Sequence, residues 1–281
     1  MRLEGMKKSI VVQDGSKVYA SMGNKPCNLG CIYCFVNAEG YPGAGRVDTQ
    51  EGLQQLIFEI EKEENIKIIL PSHDVELFLV KNWSEELMKL AEFGLFIVIS
   101  TKLSLDRGVP PRNWERIDQL KRIDARLKSN NNALLQIAVS ITRLTDWKEI
   151  EQFTSSPEER ITTVQRLSEA GLAVNIAIRP TLPFVPREEF EELIARTAPY
   201  CESYLTSPLY LTPKMKSYMD KRYPGYEVEL FRPAFMQGGT EIETVNTRKT
   251  MDMVKEIAAK YNRSCFTRSG PAIEHAISLR S

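Results

Sequence analysis

Short runs of apolar, β-branched residues recur along the chain. They alternate with segments whose apolar positions fall three and four apart, the pattern of parallel strands joined by crossover helices. The runs predict strands at Lys17 to Met22, Ile66 to Pro71, Leu95 to Thr101, Leu134 to Ile141, Ala173 to Pro180 and Tyr204 to Leu211, six βα units. Ahead of them, Ile10 to Gln13 followed by Asp14-Gly15 predicts a small hairpin against the first strand. Asp48 and Glu51 form a capping box before Leu53, Leu56, Ile57 and Ile60, which share one helical face. Ser156, Pro157 and Glu159 supply an N-cap, a first-turn proline and a box partner for the stripe Ile161, Val164 and Leu167, and Gly171 ends that helix. A last helix is expected from about Thr247 to Tyr261, with Met251, Val254 and Ala258 inward, followed by a short apolar stretch around Cys265. The fold class is α/β, and periodicity alone leaves a partial barrel and a doubly wound sheet both open.

Composition narrows the setting. The 281 residues, 42% of them hydrophobic, suffice for one large core, so a single domain is expected, with a barrel core over about 16–215 and an extension over about 216–281. No apolar run approaches the ~20 residues that span a membrane, and the opening MRLEGMKKSI has no apolar stretch of signal-peptide type. A cytoplasmic protein without a membrane partner is the expectation. Lys plus Arg and Asp plus Glu balance at 37 each, so no global field draws in nucleic acid. The C-terminal run Arg248, Lys249, Lys255, Lys260, Arg263 and Arg268 is the best local basic patch, and a solvated helix face explains it more simply.

The chemistry concentrates in Pro26-Cys-Asn-Leu-Gly-Cys-Ile-Tyr-Cys-Phe35, where three of the five cysteines, Cys27, Cys31 and Cys34, stand in the spacing CxxxCxxC. Thiolates are soft ligands for iron-sulfur clusters, zinc or copper(I), and Gly30 lets so short a loop bend around three corners of one cluster. A [4Fe-4S] cube normally takes four cysteines, so three leave one iron open for chemistry. A structural zinc site completed by Cys201, Cys265, His73 or His275 is the bland alternative, although neither remaining cysteine has a ligand partner at zinc-knuckle spacing. The loop directly follows the first strand, at the C-terminal mouth where parallel α/β barrels carry their sites.

CxxxCxxC with an aromatic, Tyr33, before the last cysteine resembles the signature of radical S-adenosylmethionine (SAM) enzymes. The resemblance implies a partial (β/α)6 radical SAM barrel with a short N-terminal hairpin and a C-terminal helical extension. It further implies a [4Fe-4S] cluster whose open iron chelates SAM, and reductive cleavage to a 5'-deoxyadenosyl radical that abstracts hydrogen from a substrate. Tyr33 would lie near the adenine. The strand-end segments Ser72-His73-Asp74-Val75-Glu76, Thr101-Lys102, Ser140-Ile-Thr-Arg143 and Arg179-Pro180 add to it. Together with Glu151, Ser156-Pro157-x-x-Arg160-Ile161 and Leu167-Ser-Glu-Ala-Gly171 they resemble, over roughly Ser21 to Pro183, the spore photoproduct lyase-like branch. The GGE-type turn of many radical SAM proteins is missing after the second strand.

By that resemblance Ser72 or His73 with Asp74, Lys102 and Ser140 would contact SAM. Lys102 suits the SAM carboxylate, Ser140 the ribose or methionine, and Arg179 is a second carboxylate candidate through its bidentate fork. Caps, turns and ion pairs are the structural readings of the same residues. His73, Asp74 and Arg143 are the candidates on the reacting side: His73 as a group titrating near neutral pH, Arg143 as a binder of an anionic substrate group. Tyr210 and Lys214 near the sixth strand are further substrate-side residues, and Cys265 a hydrogen donor if it is not simply buried. The lyase carries its hydrogen-donating cysteine two or three residues before the aspartate, where this chain has Pro71 or Leu70. The expected enzyme therefore acts on an unidentified substrate, a nucleobase or nucleotide favoured by resemblance and a peptide or small metabolite the alternative, with a reductant such as flavodoxin or ferredoxin. A non-catalytic iron-sulfur or zinc sensor is the reading from another class.

Overall fold

The computed structural model describes residues 11–13, 16–23, 27–37, 45–62, 65–105, 112–231 and 241–280. The first ten residues and the Asp14-Gly15 turn lie outside them. In chain order the elements are β1 (Val11–Gln13), β2 (Lys17–Ser21), β3 (Gly45–Arg46), α1 (Gln50–Lys62), β4 (Ile68–Leu70), α2 (Trp83–Ala91), β5 (Phe96–Thr101), α3 (Arg112–Asn131), β6 (Leu135–Ser140), α4 (Pro157–Glu169), β7 (Ala173–Ile178), α5 (Arg187–Thr197) and β8 (Ser203–Thr206). Then follow β9 (Leu209–Tyr210), α6 (Pro213–Arg222), β10 (Val228–Phe231), β11 (Ile242–Val245), α7 (Arg248–Lys260), β12 (Ser264–Phe266) and α8 (Ser269–Ser278).

The main sheet runs β1-β2-β4-β5-β6-β7-β8-β12, with the short β3 added beside β2. Only β1 is antiparallel on that path; from β2 onward each neighbour is parallel. All six expected strands are present in the expected order, and the path is open rather than closed into a ring.

Two expectations change in detail. The run Tyr204 to Leu211 divides: β8 stays in the parallel sheet, while β9 joins β10 and β11 in a separate antiparallel sheet. Pro208 sits at the break, and a residue without an N–H cannot extend a ladder. The C-terminal extension is also more than helical, since β12 pairs in parallel with β8 as a seventh parallel strand.

The helices follow their sequence signals with one substitution. Around Ser156 the capping box forms as read, Ser156 N–H donating to Glu159 at 2.7 Å and Glu159 N–H to Ser156 Oγ at 3.3 Å. At α1 the cap is Thr49, whose Oγ1 accepts from Gly52 N–H at 3.0 Å. Asp48, the expected cap, instead accepts from Gly23 N–H at 2.8 Å.

Both faces of the sheet are covered. Ile97, Ile99, Ile137, Val139, Val174 and Ile176 pack with the crossover helices. On the other face Ile68, Val98, Leu134 and Ala173 close on Ile273 and Ala276 of α8, and Ala138, Ala177 and Leu205 on Ala272. Small residues at these inward positions leave room for a helix against the sheet, which is why β6 and β7 are buried along their whole lengths.

Candidate active site at the strand ends

The cysteine loop is clamped from two sides. From the turn after β4, Asp74 accepts from Cys27 N–H at 2.7 Å through its carbonyl, and its own N–H donates to Ser21 Oγ at 3.1 Å. From the segment after β6, the Ile150 carbonyl accepts from Ile32 N–H at 3.0 Å, and Cys31 bridges Glu151. The Thr212 hydroxyl, at the start of α6, donates to the Ile32 carbonyl. Gly30 takes the left-handed φ of +70°, and a Cβ there would press on the Phe153 ring at 3.0 Å.

Cys34 lies close enough to raise the thiol pKa of both Cys27 and Cys31. Burial pushes Cys27 up to about 11 and Cys31 up to about 12, and raises Cys34 too, against the pull of Lys102. Such thiols ionise when a cation compensates them, so this donor set fits a cationic iron-sulfur group and does not fit a reactive free thiolate. Among the described residues no three His, Cys, Asp or Glu side chains converge as on a single ion, the arrangement the zinc alternative requires. A cube whose thiolates each take a different iron needs no such convergence. Cys201 is buried behind the start of β8, and Cys265 sits on β12 with its Sγ 3.9 Å from Thr206 Oγ1, so neither joins the loop.

Beside the loop lies a buried charge network. Lys102, just past β5, donates to Ser140 Oγ at 2.6 Å and to Glu151 Oε1 at 3.0 Å, with its Nζ 5.4 Å above the Tyr33 ring. Glu151 also accepts from the Tyr33 hydroxyl and from Thr142 at 2.7 Å, and pairs with Arg160 at 2.7 Å. Arg160 Nη1 donates in turn to the Ser140 carbonyl at 2.6 Å. Burial alone would push the Glu151 carboxyl up; Lys102 and Arg160 overcome it and hold the group well below the usual carboxylate range. Three expected SAM contacts, Tyr33, Lys102 and Ser140, are therefore brought together by a carboxylate that the sequence reading used only as part of a motif.

The remaining candidates are differently engaged. Asp74 is buried and holds Arg46 through both oxygens, at 2.5 and 3.2 Å. Ser72 Oγ accepts from Ser100 N–H at 3.0 Å, bracing β5. Arg179 donates to the Thr206 and Thr267 carbonyls at 3.1 and 2.8 Å, on the β8–β12 side. Glu76 accepts from Thr101 Oγ1 at 2.8 Å and Lys102 N–H at 3.0 Å.

His73 does not titrate near neutrality as expected. Its ring packs against Tyr19 (4.7 Å) and Phe35 (5.1 Å), and burial lowers its pKa to about 4. Tyr210 stands 6.4 Å from Phe35, whereas Lys214 is exposed on α6. Of the basic run, Arg248, Lys249, Lys255 and Lys260 are exposed on α7, the solvated face anticipated.

Two hollows flank the loop, of about 610 Å³ beside Cys27, Glu76 and Lys81 and about 540 Å³ beside Leu29, Arg116 and Phe153. Lys102, Ser140 and Arg179 line neither. No described helix is long and apolar enough to cross a membrane.

Residues 25–197 match the family described as the Radical SAM superfamily. No curated protein sequence matches the chain. Among solved structures, a single-substitution mutant of spore photoproduct lyase superposes with a TM-score of 0.62 at 15% identity, over 94% of this chain and 79% of the other. A double mutant of that lyase with bound AdoMet and dinucleoside spore photoproduct gives 0.61 at 14% identity, over 92% and 78%. The lyase complexed with dinucleoside spore photoproduct gives 0.58 at 16% identity, over 86% and 73%. At these identities the likeness is one of fold.

Proposed function

The chain belongs to the radical SAM superfamily, and from that premise we propose that Cys27, Cys31 and Cys34 hold a [4Fe-4S] cluster at the mouth of the sheet, where SAM is cleaved reductively. When bound, the cluster supplies the electron that splits the sulfonium of SAM into methionine and a 5'-deoxyadenosyl radical.

The protein's own groups bind and orient. Lys102, ion-paired with Glu151, presents an ammonium to the SAM carboxylate, and Ser140 beside it offers a hydroxyl to the ribose or methionine. Tyr33 lies against the adenine, fixed through its hydroxyl on Glu151. The Ser72 to Asp74 turn, already bonded to the cysteine loop, is proposed to face the SAM amino group. Arg179, with two nitrogens donating to backbone carbonyls, is the weaker carboxylate ligand of the two cations. Asp74 and the neutral His73 border the reacting side. The observation that carries this reading is the junction of cysteine loop and polar network at Cys31–Glu151; a sensor has no use for a partly buried lysine–serine pair there.

The substrate is proposed to be a nucleobase or nucleotide, supported by the fold shared with an enzyme whose structures hold a dinucleoside photoproduct. A small reductant such as flavodoxin or ferredoxin would supply electrons in the cytoplasm. Anaerobic reconstitution followed by assay for 5'-deoxyadenosine tests the reading. Cluster content and 5'-deoxyadenosine formation should vanish with Cys27→Ala, Cys31→Ala or Cys34→Ala and survive Cys201→Ala and Cys265→Ala. Loss of the cluster on changing Cys201 or Cys265 would overturn the three-thiolate site. SAM affinity unchanged in both Lys102→Ala and Arg179→Ala would remove the proposed pose.

A further inference from the structure

Arg143 stands three residues beyond Ser140, at the mouth end of β6, and is only 6% exposed. Its loop is pinned by Glu189 on α5, which accepts from the backbone of Leu144 and Thr145 and, at 2.9 Å, from the Thr145 hydroxyl. The Phe184 ring lies 5.7 Å from the guanidinium, and Phe184 stacks on Tyr223 at 4.2 Å. Nη2 reaches Thr145 Oγ1 only at 3.5 Å and Asp146 only at 3.6 Å, and that aspartate's side chain is 73% exposed, its charge shared with water. Nε and Nη1 are buried and find no hydrogen-bond partner among the described residues.

A guanidinium keeps its charge and presents five N–H donors in a rigid fork. Both edges of the fork, Nε–Nη2 and Nη1–Nη2, thus keep an unpaired nitrogen. Arg160 is buried too and its Nε likewise has no hydrogen-bond partner among the described residues, but its Nη2 lies 2.7 Å from the buried Glu151 carboxylate, whereas the ion pair of Arg143 is with an exposed aspartate. A buried, fixed, incompletely paired guanidinium is matched by a planar or tetrahedral oxyanion, which accepts two N–H bonds at once.

Resting on the reading that the mouth is the reaction site, we propose that Arg143 anchors the substrate by an oxyanion, a carboxylate or a phosphate, beside the half-buried aromatic pair of Phe184 and Tyr223. The substrate is then an anionic molecule, held at the rim between the loops after β6 and β7.

The test needs no turnover. Thermal unfolding of the reconstituted protein is followed against inorganic phosphate and against acetate, at ionic strength held constant with chloride. The expected result is a saturable rise in Tm with at least one anion, abolished in Arg143→Gln and shifted at least fivefold to higher concentration in Arg143→Lys, with Arg222→Gln behaving as wild type. A stronger response to phosphate assigns a phosphorylated substrate, and a stronger response to acetate a carboxylate one. No saturable response to either anion in the wild-type protein, or the same response in Arg143→Gln, overturns the proposal, with an adventitious ion only as the meaning of the second result. Failure of the 5'-deoxyadenosine assay would strike at SAM cleavage and leave this titration readable.

Discussion

Glu151 decides more about the site than any other single side chain. Its two oxygens serve Tyr33, Lys102, Thr142 and Arg160, so replacing it by Gln leaves the buried Arg160 and the partly buried Lys102 without their counter-charge. Breaking a buried pair in this way costs roughly 3–5 kcal/mol. Glu151→Gln should lower the unfolding free energy by that order in denaturant titration and weaken SAM binding with it; an unchanged midpoint would show that the network is not coupled to stability. Because the folded carboxyl is held low, its contribution is complete above the unfolded carboxylate value and fades as the pH falls through the folded one. His73 adds a second acid-side slope. Its neutral form is buried, so its stabilisation is full above about 6.5 and is lost as the pH falls towards about 4, on the order of 3 kcal/mol in all. His73→Phe, which keeps a ring between Tyr19 and Phe35, should flatten the stability curve over that window. An equal slope in the variant would assign the effect to other groups.

At the scale of elements, the ends of helices and the filling of sheet faces matter most. The reciprocal bonds of Ser156 and Glu159 start α4, and Ser156→Ala should cost about 0.5–2 kcal/mol by losing the cap. The larger lever is α8. Ile273 is almost wholly buried against Ile68, Val98, Leu134 and Ala173, so Ile273→Ala should cost about 2–5 kcal/mol, measured by chemical unfolding. A cost near zero would mean that the helix does not close that face in solution. The inward alanines of β6 and β7 look like weak strand residues in isolation; against α8 they are the residues that fit.

For the molecule as a whole, the expected reactivity is SAM cleavage without the lyase's own repair. Leu70 and Pro71 close the end of β4 where the lyase's donor cysteine is expected, and Pro71 is spent on the Met22 N–H. The reconstituted enzyme should therefore form 5'-deoxyadenosine slowly yet leave spore photoproduct in DNA intact; efficient repair persisting in Cys265→Ala would refute this. Much of the architecture was legible because it is locally encoded. Apolar runs of strand length, helix caps and the CxxxCxxC spacing each act within a few residues, and they gave the α/β class, the strand order along the chain and the loop that would carry the cluster. The limits appear where partners are distant. Tyr33 and Glu151 are 118 residues apart, Lys102 and Glu151 49, and Arg46 and Asp74 28. Periodicity carries no information on which side chains meet across strand ends. Nor could it show that His73 is desolvated into its neutral form, that Pro208 hands β9 to another sheet, or that β12 and α8 return to complete the first. Spacing along the chain determined the elements and the short loop that carries three thiols. Only the packing of those elements decided which charges are neutralised and which, as at Arg143, are left incompletely paired.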